Sequence, residues 1–167
     1  GTKRPSIAKE QGCIIKPKTP VVLRVYENET FVVFDAIAKQ LDAPLYIADN
    51  YVYETDLLGD YQNQNINGVV TLIKTLSNFN VSEVDIVNGF KQVYKNTGIR
   101  GRWEVLGNKP DIIADVAHNK AGLEVVLKQL TSLNYDNLHV IFGMVNDKDV
   151  GDLITILPPD AIYYLCA

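Results

Sequence analysis

The sequence predicts an α/β fold in two parts, a mixed helix-rich part over residues 1–99 and a strand–helix alternation over residues 100–167. Three observations carry this. Two helical stretches run from Ile66 to Tyr94 without a repeat. Glycines at Gly98 and Gly101 then mark a change of character. Beyond them, apolar runs of strand length alternate with amphipathic stretches of helix length, which is the pattern of a parallel sheet.

Each element has a local reason. Val21–Val25 follows Pro20 and reads as a strand. Thr30 is expected to cap a helix on which Phe34, Ile37, Ala38 and Leu41 recur at helical spacing. Leu45–Ile47 after Pro44 is a short strand, and Asp49–Asp60 is polar and aromatic, as suits a loop or short strands. Ile66, Val69, Val70 and Ile73 form one helical face, which Leu76 continues. Ser82-Glu83-Val84-Asp85 resembles a capping box, with Asp85 in the place of the usual glutamate. It opens a helix expected to run through Val87, Phe90 and Tyr94 to Gly98. Arg102–Leu106 and Asp111–Ala114 flank Gly107-Asn108-Lys109-Pro110 and read as strand, turn and strand. Leu123, Val126, Leu127 and Leu130 line an amphipathic helix. Leu138–Phe142 is expected to be a buried strand, Asp149–Leu157 a helix closed by Pro158-Pro159, and Ala161–Leu165 a second buried strand. With no helix after it to cover that strand, the sequence reads as truncated at its C-terminal end.

Composition narrows the function. Among 167 residues, 47% are apolar and 22% charged, which excludes disordered, collagenous and coiled-coil classes. No apolar run reaches the roughly 18 residues of a membrane helix, and no leader pattern precedes the first elements, so a cytoplasmic location and no membrane partner are expected. Cys13 and Cys166 have no metal spacing and are expected as free thiols. Asn28-Glu29-Thr30 and Asn80-Val81-Ser82 match the glycosylation pattern by chance on this reading. The net charge of −4 argues against a nucleic-acid binder. Its distribution is uneven, because residues 1–24 hold six basic side chains against the single acid Glu10. That stretch is either a solvated surface or a wall facing an anionic ligand such as a phosphate.

Three segments could hold chemistry. Ile112–Asn119 ends a strand and precedes a helix, the place where open α/β sheets bind ligands. There Asp115 could accept from a ribose diol, and His118 could donate to a phosphate or carboxylate. The plainer alternative makes Asp115 a turn former, His118 a surface residue and Asn119 an N-cap. Gly143–Asp149 follows the next strand and is expected on the same sheet edge, or else is a loop capped by Asp147 or Asp149. Gly59–Asn67 joins Tyr61 to a cluster of amides that could bind a flat heterocycle, or in which Asn63 or Asn65 caps a helix. His139 sits in an apolar strand as a structural histidine. There is no Gly-x-x-x-x-Gly-Lys-Ser/Thr loop, no Gly-x-Gly-x-x-Gly, no His-Glu-x-x-His and no Cys-x-x-Cys.

Gly101–Leu106 followed by Asp115-Val116-Ala117-His118-Asn119 resembles the folylpolyglutamate synthase/dihydrofolate synthase branch of the Mur ligase superfamily. Gly143-Met144 with Asp147-Lys148-Asp149, Tyr61-Gln62 with Asn65, and Ile7-Ala8 with Ile14-Ile15-Lys16-Pro17 are similar to further segments of that family. The resemblance implies the end of a Mur-ligase-like central ATP-binding domain (1–99), followed by the first part of a Rossmann-like C-terminal domain (100–167). It implies an ADP-forming ligase that joins glutamate to a folate or dihydropteroate through an acyl phosphate, using ATP and magnesium. It assigns Asn65 to adenine, Arg102 to the phosphates, Asp115 to the ribose and His118 beside them, with Arg102 and His118 as the catalytic pair. The family's phosphate-binding loop is missing from the sequence, so a fragment inactive by itself and prone to self-association is expected. The sequence also departs from the family at Gln11, which stands where the family has a carbamylated lysine that helps hold magnesium. Gln11 has no amine to carbamylate, and a neutral amide is a weaker ligand for a hard cation. Lys9, two residues earlier, is out of register as a substitute. A ligase-like nucleotide-binding protein with impaired catalysis is therefore the alternative reading, beside a plain nucleotide-binding module or a non-catalytic interaction domain.

Overall fold

Proline and apolar spacing place the first elements where local signals put them. The computed structural model describes residues 3–143 and 151–166. In chain order these form α1 (Lys3–Gly12), β1 (Val21–Leu23), α2 (Asn28–Gln40), β2 (Leu45–Ile47), α3 (Gln62–Thr75), α4 (Glu83–Lys91), α5 (Val93–Thr97), β3 (Glu104–Asn108), β4 (Asp111–Ala114), α6 (Lys120–Leu130), β5 (His139–Gly143), α7 (Gly151–Ile154) and β6 (Ile162–Cys166). The fold is α/β. The chain divides into two units, one running through Asp56 and taking in Tyr61–Asn96, the other joining Leu57–Asp60 to the chain from Thr97 onward.

In the first unit β1 and β2 pair in parallel, Val21 opposite Leu45 and Leu23 opposite Ile47, with α2 as the crossover. Helix α1 packs on α2, and α3 packs on both strands. Ile15, Ala38 and Ala43 form one core with Val21, Phe34, Ile37, Leu41 and Leu45 around it. Ile66, Val70 and Ile86 form another, walled by Tyr51, Tyr53, Ile73 and Phe90. The expected α3 face is thus buried at Ile66 and Val70, while Val69 and Leu76 stay exposed. The segment after β2 is irregular as expected, and α3 clamps it. Thr71 Oγ1 accepts from Asp49 N–H (3.1 Å), and Asn67 Oδ1 accepts from Tyr51 N–H (2.8 Å).

Three helix boundaries differ from expectation: α7 stops at Ile154 and not at Leu157, and two others have a visible cause. Thr30 is not the cap of α2, which already begins at Asn28 after an extended Glu27. The Thr30 hydroxyl instead donates to the Glu27 carbonyl (3.1 Å) from within the first turn. The helix opened by Ser82 does not run on to Gly98. Its capping box forms as read, but it stops at Lys91 and Gln92 leaves helical geometry. The carboxylate of Asp56 accepts from the N–H groups of Val93 (3.1 Å) and Tyr94 (3.0 Å), which starts a separate helix, α5.

In the second unit β3 and β4 pair antiparallel with an irregularity between Val105 and Gly107. β5 and β6 pair in parallel, His139 opposite Ile162 and Phe142 opposite Leu165. The expectation that β4 belongs to the same sheet as β5 is corrected: the hairpin and the parallel pair are separate two-stranded sheets. The tight reversal at Asn108–Asp111 hands β4 to β3 first. The parallel strands are also not buried as expected. The residues facing one side, including His139, Ile141, Ile162 and Tyr164, are all exposed. Trp103, Leu123 and Leu153 are the buried apolar side chains of this unit among the described residues.

Candidate functional site

The site in the second unit is built on a turn that only specific residues allow. Gly101 adopts φ +69°, and a Cβ there would lie 2.6 Å from Val116 Cγ1, so both backbone and space demand glycine. Trp103 is also left-handed, at φ +50°, which is strained for a bulky side chain. Asp115 holds that strain in place. Its Oδ2 accepts from Trp103 N–H (2.8 Å) and its Oδ1 from Ala117 N–H (2.8 Å). Val116 N–H donates to the Gly101 carbonyl (2.9 Å), and Gly101 N–H donates to Glu104 Oε2 (2.8 Å). Arg100 closes the turn with a salt bridge to Glu104 (2.5 Å). The Arg100 guanidinium, and after it the Gly101 N–H, hold the Glu104 carboxyl below the usual glutamate range.

These bonds bring together two segments that the sequence keeps 12 residues apart. The half-buried Arg102 lies inside the turn that Asp115 pins. His118 is exposed, and its Nδ1 lies 3.1 Å from the Val116 carbonyl. A carbonyl only accepts, so Nδ1 carries the proton in this contact. Asn119 Oδ1 accepts from Gly122 N–H (2.8 Å) and caps α6, so Asn119 takes the plain role weighed for it. Asp115 does more than form a turn, since both its oxygens bind backbone N–H groups, one of them 12 residues away. Of Gly143–Asp149, Gly143 ends β5 and the rest lies outside the described residues. His139 is at the exposed start of β5, its ring stacked on Tyr164 at 5.9 Å with Nδ1 3.0 Å from the phenol oxygen. An open groove of about 500 Å³ beside α6, lined by Leu127, Leu130, Tyr135, Ile156, Leu157 and Pro158, contains none of these residues.

In the first unit, Asn65 lies in the first turn of α3. Neither it nor Asn63 caps the helix, which starts after Tyr61 without a side-chain cap. The Asn65 amide is held from both sides, with Oδ1 accepting from Arg24 Nη1 (2.6 Å) and Nδ2 donating to Gln62 Oε1 (2.7 Å). Gln62 is buried and Asn65 half-buried. Arg24 was not singled out by spacing. Its only sequence signal is membership of the basic stretch at residues 1–24. Gln11 is exposed in the last turn of α1, as is Lys9. Among the described residues, no three of His, Cys, Asp and Glu gather to hold a metal ion, and no helix is long and apolar enough to cross a membrane. Cys13 and Cys166 are free and exposed.

Residues 101–167 match the family model described as "Mur ligase, glutamate ligase domain". A probable bifunctional folylpolyglutamate synthase/dihydropteroate synthase of Haloferax volcanii is 29% identical over 143 residues, 86% of this chain and 15% of the relative. The chain is thus similar to the Mur ligase family over residues 101–167. Its backbone also agrees with those of solved structures. A complex titled "FPGS-AMPPCP-folate complex" superposes with a TM-score of 0.80 at 22% identity, over 96% of this chain and 45% of that one. E. coli FolC in complex with DHPP and ADP gives 0.77 at 22% identity, over 98% and 42%. At that identity the likeness is one of fold. The chain spans less than half the length of either solved structure, and under a sixth of the Haloferax relative.

Proposed function

We propose that this chain works within an ATP-dependent ligase that joins glutamate to a folate or dihydropteroate. Residues 1–99 would be the later part of its central ATP-binding domain and residues 100–167 the first part of its glutamate ligase domain. The observation that carries the reading is the Gly101–Glu104 turn pinned by Asp115, inside the segment that matches the glutamate ligase domain. The turn holds an arginine and a carboxylate on one rigid piece of backbone. Asp115 would meet the ribose diol. Arg102 would meet the phosphates, with His118 beside it, and Asn65 would meet the adenine.

The chemistry is two transfers. The substrate carboxylate oxygen attacks the γ-phosphorus of ATP, the bond to ADP breaks, and an acyl phosphate forms. The glutamate nitrogen then attacks the acyl carbon, phosphate leaves with the electron pair of the broken C–O bond, and the nitrogen loses a proton to solvent. The charge that a cation at Arg102 neutralises grows during the first transfer. Magnesium is a different matter. With Gln11 an exposed neutral amide and no three acidic, histidine or cysteine side chains gathered among the described residues, those residues do not fit a magnesium site.

The test is ADP release by the protein carrying these residues, with folate or dihydropteroate present, with and without glutamate. Release that rises with glutamate and falls about 100-fold in Arg102→Ala is the expected result. Arg102→Lys is expected to recover only part of it, because lysine lacks the bidentate fork. Gln11 favours one second reading, a ligase-like protein that binds nucleotide but is impaired in transfer. ATP binding without glutamate-dependent release would select it.

A further inference from the structure

We propose that Arg24 is the positioning residue that makes Asn65 read an adenine in one orientation only. This rests on the assignment of Asn65 to the base. Arg24 follows β1 directly, and its Cβ and Cγ lie 3.6 Å from where a Cβ on Gly68 would be, so its stem rests on α3 where that helix has no side chain. From there it reaches one turn back, and Nη1 donates to Asn65 Oδ1 at 2.6 Å. Asn65 Nδ2 donates in turn to Gln62 Oε1 at 2.7 Å.

A side-chain amide has two acceptor positions on oxygen and two N–H donors, and rotating it by 180° exchanges them. One of each is engaged here, which leaves one acceptor and one donor. That remaining pair matches adenine, which offers an exocyclic N–H donor next to a ring-nitrogen acceptor. A hypoxanthine base carries an oxygen acceptor in place of that N–H donor, and a reversed amide would suit it. The direction of the amide therefore decides between the two bases. Gln62 does not set the direction, because its own amide can reverse in concert. Arg24 sets it, because a guanidinium has donors and no acceptor, so reversal would point two donors at each other. The bulky, always-charged side chain in this place does what neither amide can do alone.

The experiment measures ATP and ITP affinity by calorimetry on the full protein carrying this sequence, with melting temperature as a folding check. Arg24→Gln retains a hydrogen-bonding amide but loses direction, whereas Arg24→Lys stays donor-only. The expected result is that Arg24→Gln narrows the ATP-to-ITP affinity ratio by about tenfold while Arg24→Lys keeps it. In an Asn65→Ala background ATP binding should be weaker, and Arg24→Gln should have no further effect on the ratio. An unchanged ratio in Arg24→Gln, a ratio that narrows equally in Arg24→Lys, or a shift that persists without Asn65 overturns the proposal. If Asn65→Ala weakens ATP while Arg24→Gln leaves the ratio alone, the proposal falls and the adenine assignment stands. If Asn65→Ala leaves ATP binding unchanged, both fall.

Discussion

Asp115 connects the backbone to the chemistry in a single side chain. Its two oxygens accept from Trp103 and Ala117 N–H groups, and one of those donors belongs to a buried tryptophan with positive φ. Asparagine has one oxygen, so Asp115→Asn leaves one backbone N–H facing an NH₂ group. A buried donor left unsatisfied costs about 1–3 kcal/mol, against about 0.5 kcal/mol or less for an exposed turn former. Urea denaturation of the variant is expected to show the larger loss. Gln11 gives the opposite expectation. If glutamine had been built into a closed pocket, Gln11→Lys would bury a charge, but the side chain is exposed on α1. Stability is therefore expected to stay within about 0.5 kcal/mol of the parent. The new amine should take up labelled bicarbonate as a carbamate, read by carbon NMR, if the surroundings are those of the family's lysine. Absence of that signal would mean that more than one residue of the site has changed. At this scale the sequence singled out Arg102, Asp115, His118 and Asn65 through their motif. It did not reveal that Asp115 binds Trp103 or that Arg24 binds Asn65, because those contacts join residues 12 and 41 positions apart and leave no local spacing.

The elements show the same division between local and distant causes. The Ser82–Asp85 capping box, the Asn119 cap and the strand Leu45–Ile47 were legible because each is decided within about four residues. The end of α4 was not, because Asp56 supplies the acceptors that start α5 from 37 residues away. The sheet assignment of β4 failed for a related reason: a strand pattern shows its faces but not its partner. The turn that leads into β3 carries a pH expectation. The Glu104 carboxyl is lowered in the fold by the Arg100 guanidinium first and the Gly101 N–H second. A lowered folded value means that the carboxylate form is the one that favours folding. Its contribution is present in full above the unfolded glutamate value of 4.5 and is lost as the pH falls through the lower folded value. Glu104→Gln removes this titration. The urea midpoint of the parent is thus expected to fall more steeply than that of Glu104→Gln as the pH drops below 4.5, and parallel curves would show that the pairing contributes nothing measurable.

On the scale of the whole molecule, the two units manage their apolar surface differently. The first covers its parallel pair with α3 and keeps two apolar clusters. In the second, the parallel pair β5–β6 shows one apolar side to solvent among the described residues. Ile141 is 77% exposed, and Ile162 and Tyr164 are about half exposed on the same face, while Leu165 on the other is 79% exposed. Parallel strands are ordinarily covered on both faces, and a contiguous apolar patch beside an unpaired strand edge favours association. The expected outcome is that these 167 residues alone associate with one another in a concentration-dependent way, measured by sedimentation. Ile141→Lys places a charge at the centre of the exposed face without removing a packed side chain. It should shift the chain toward monomer while its melting temperature holds. Association that survives Ile141→Lys would place the contact elsewhere, and the most exposed apolar side chains of the first unit, Val52 at 99% and Ile14 at 80%, would be the next to change. A parent that stays monomeric at every concentration would mean that the exposed face of β5–β6 is too small, or too interrupted by His139 and the Tyr164 hydroxyl, to hold a second copy.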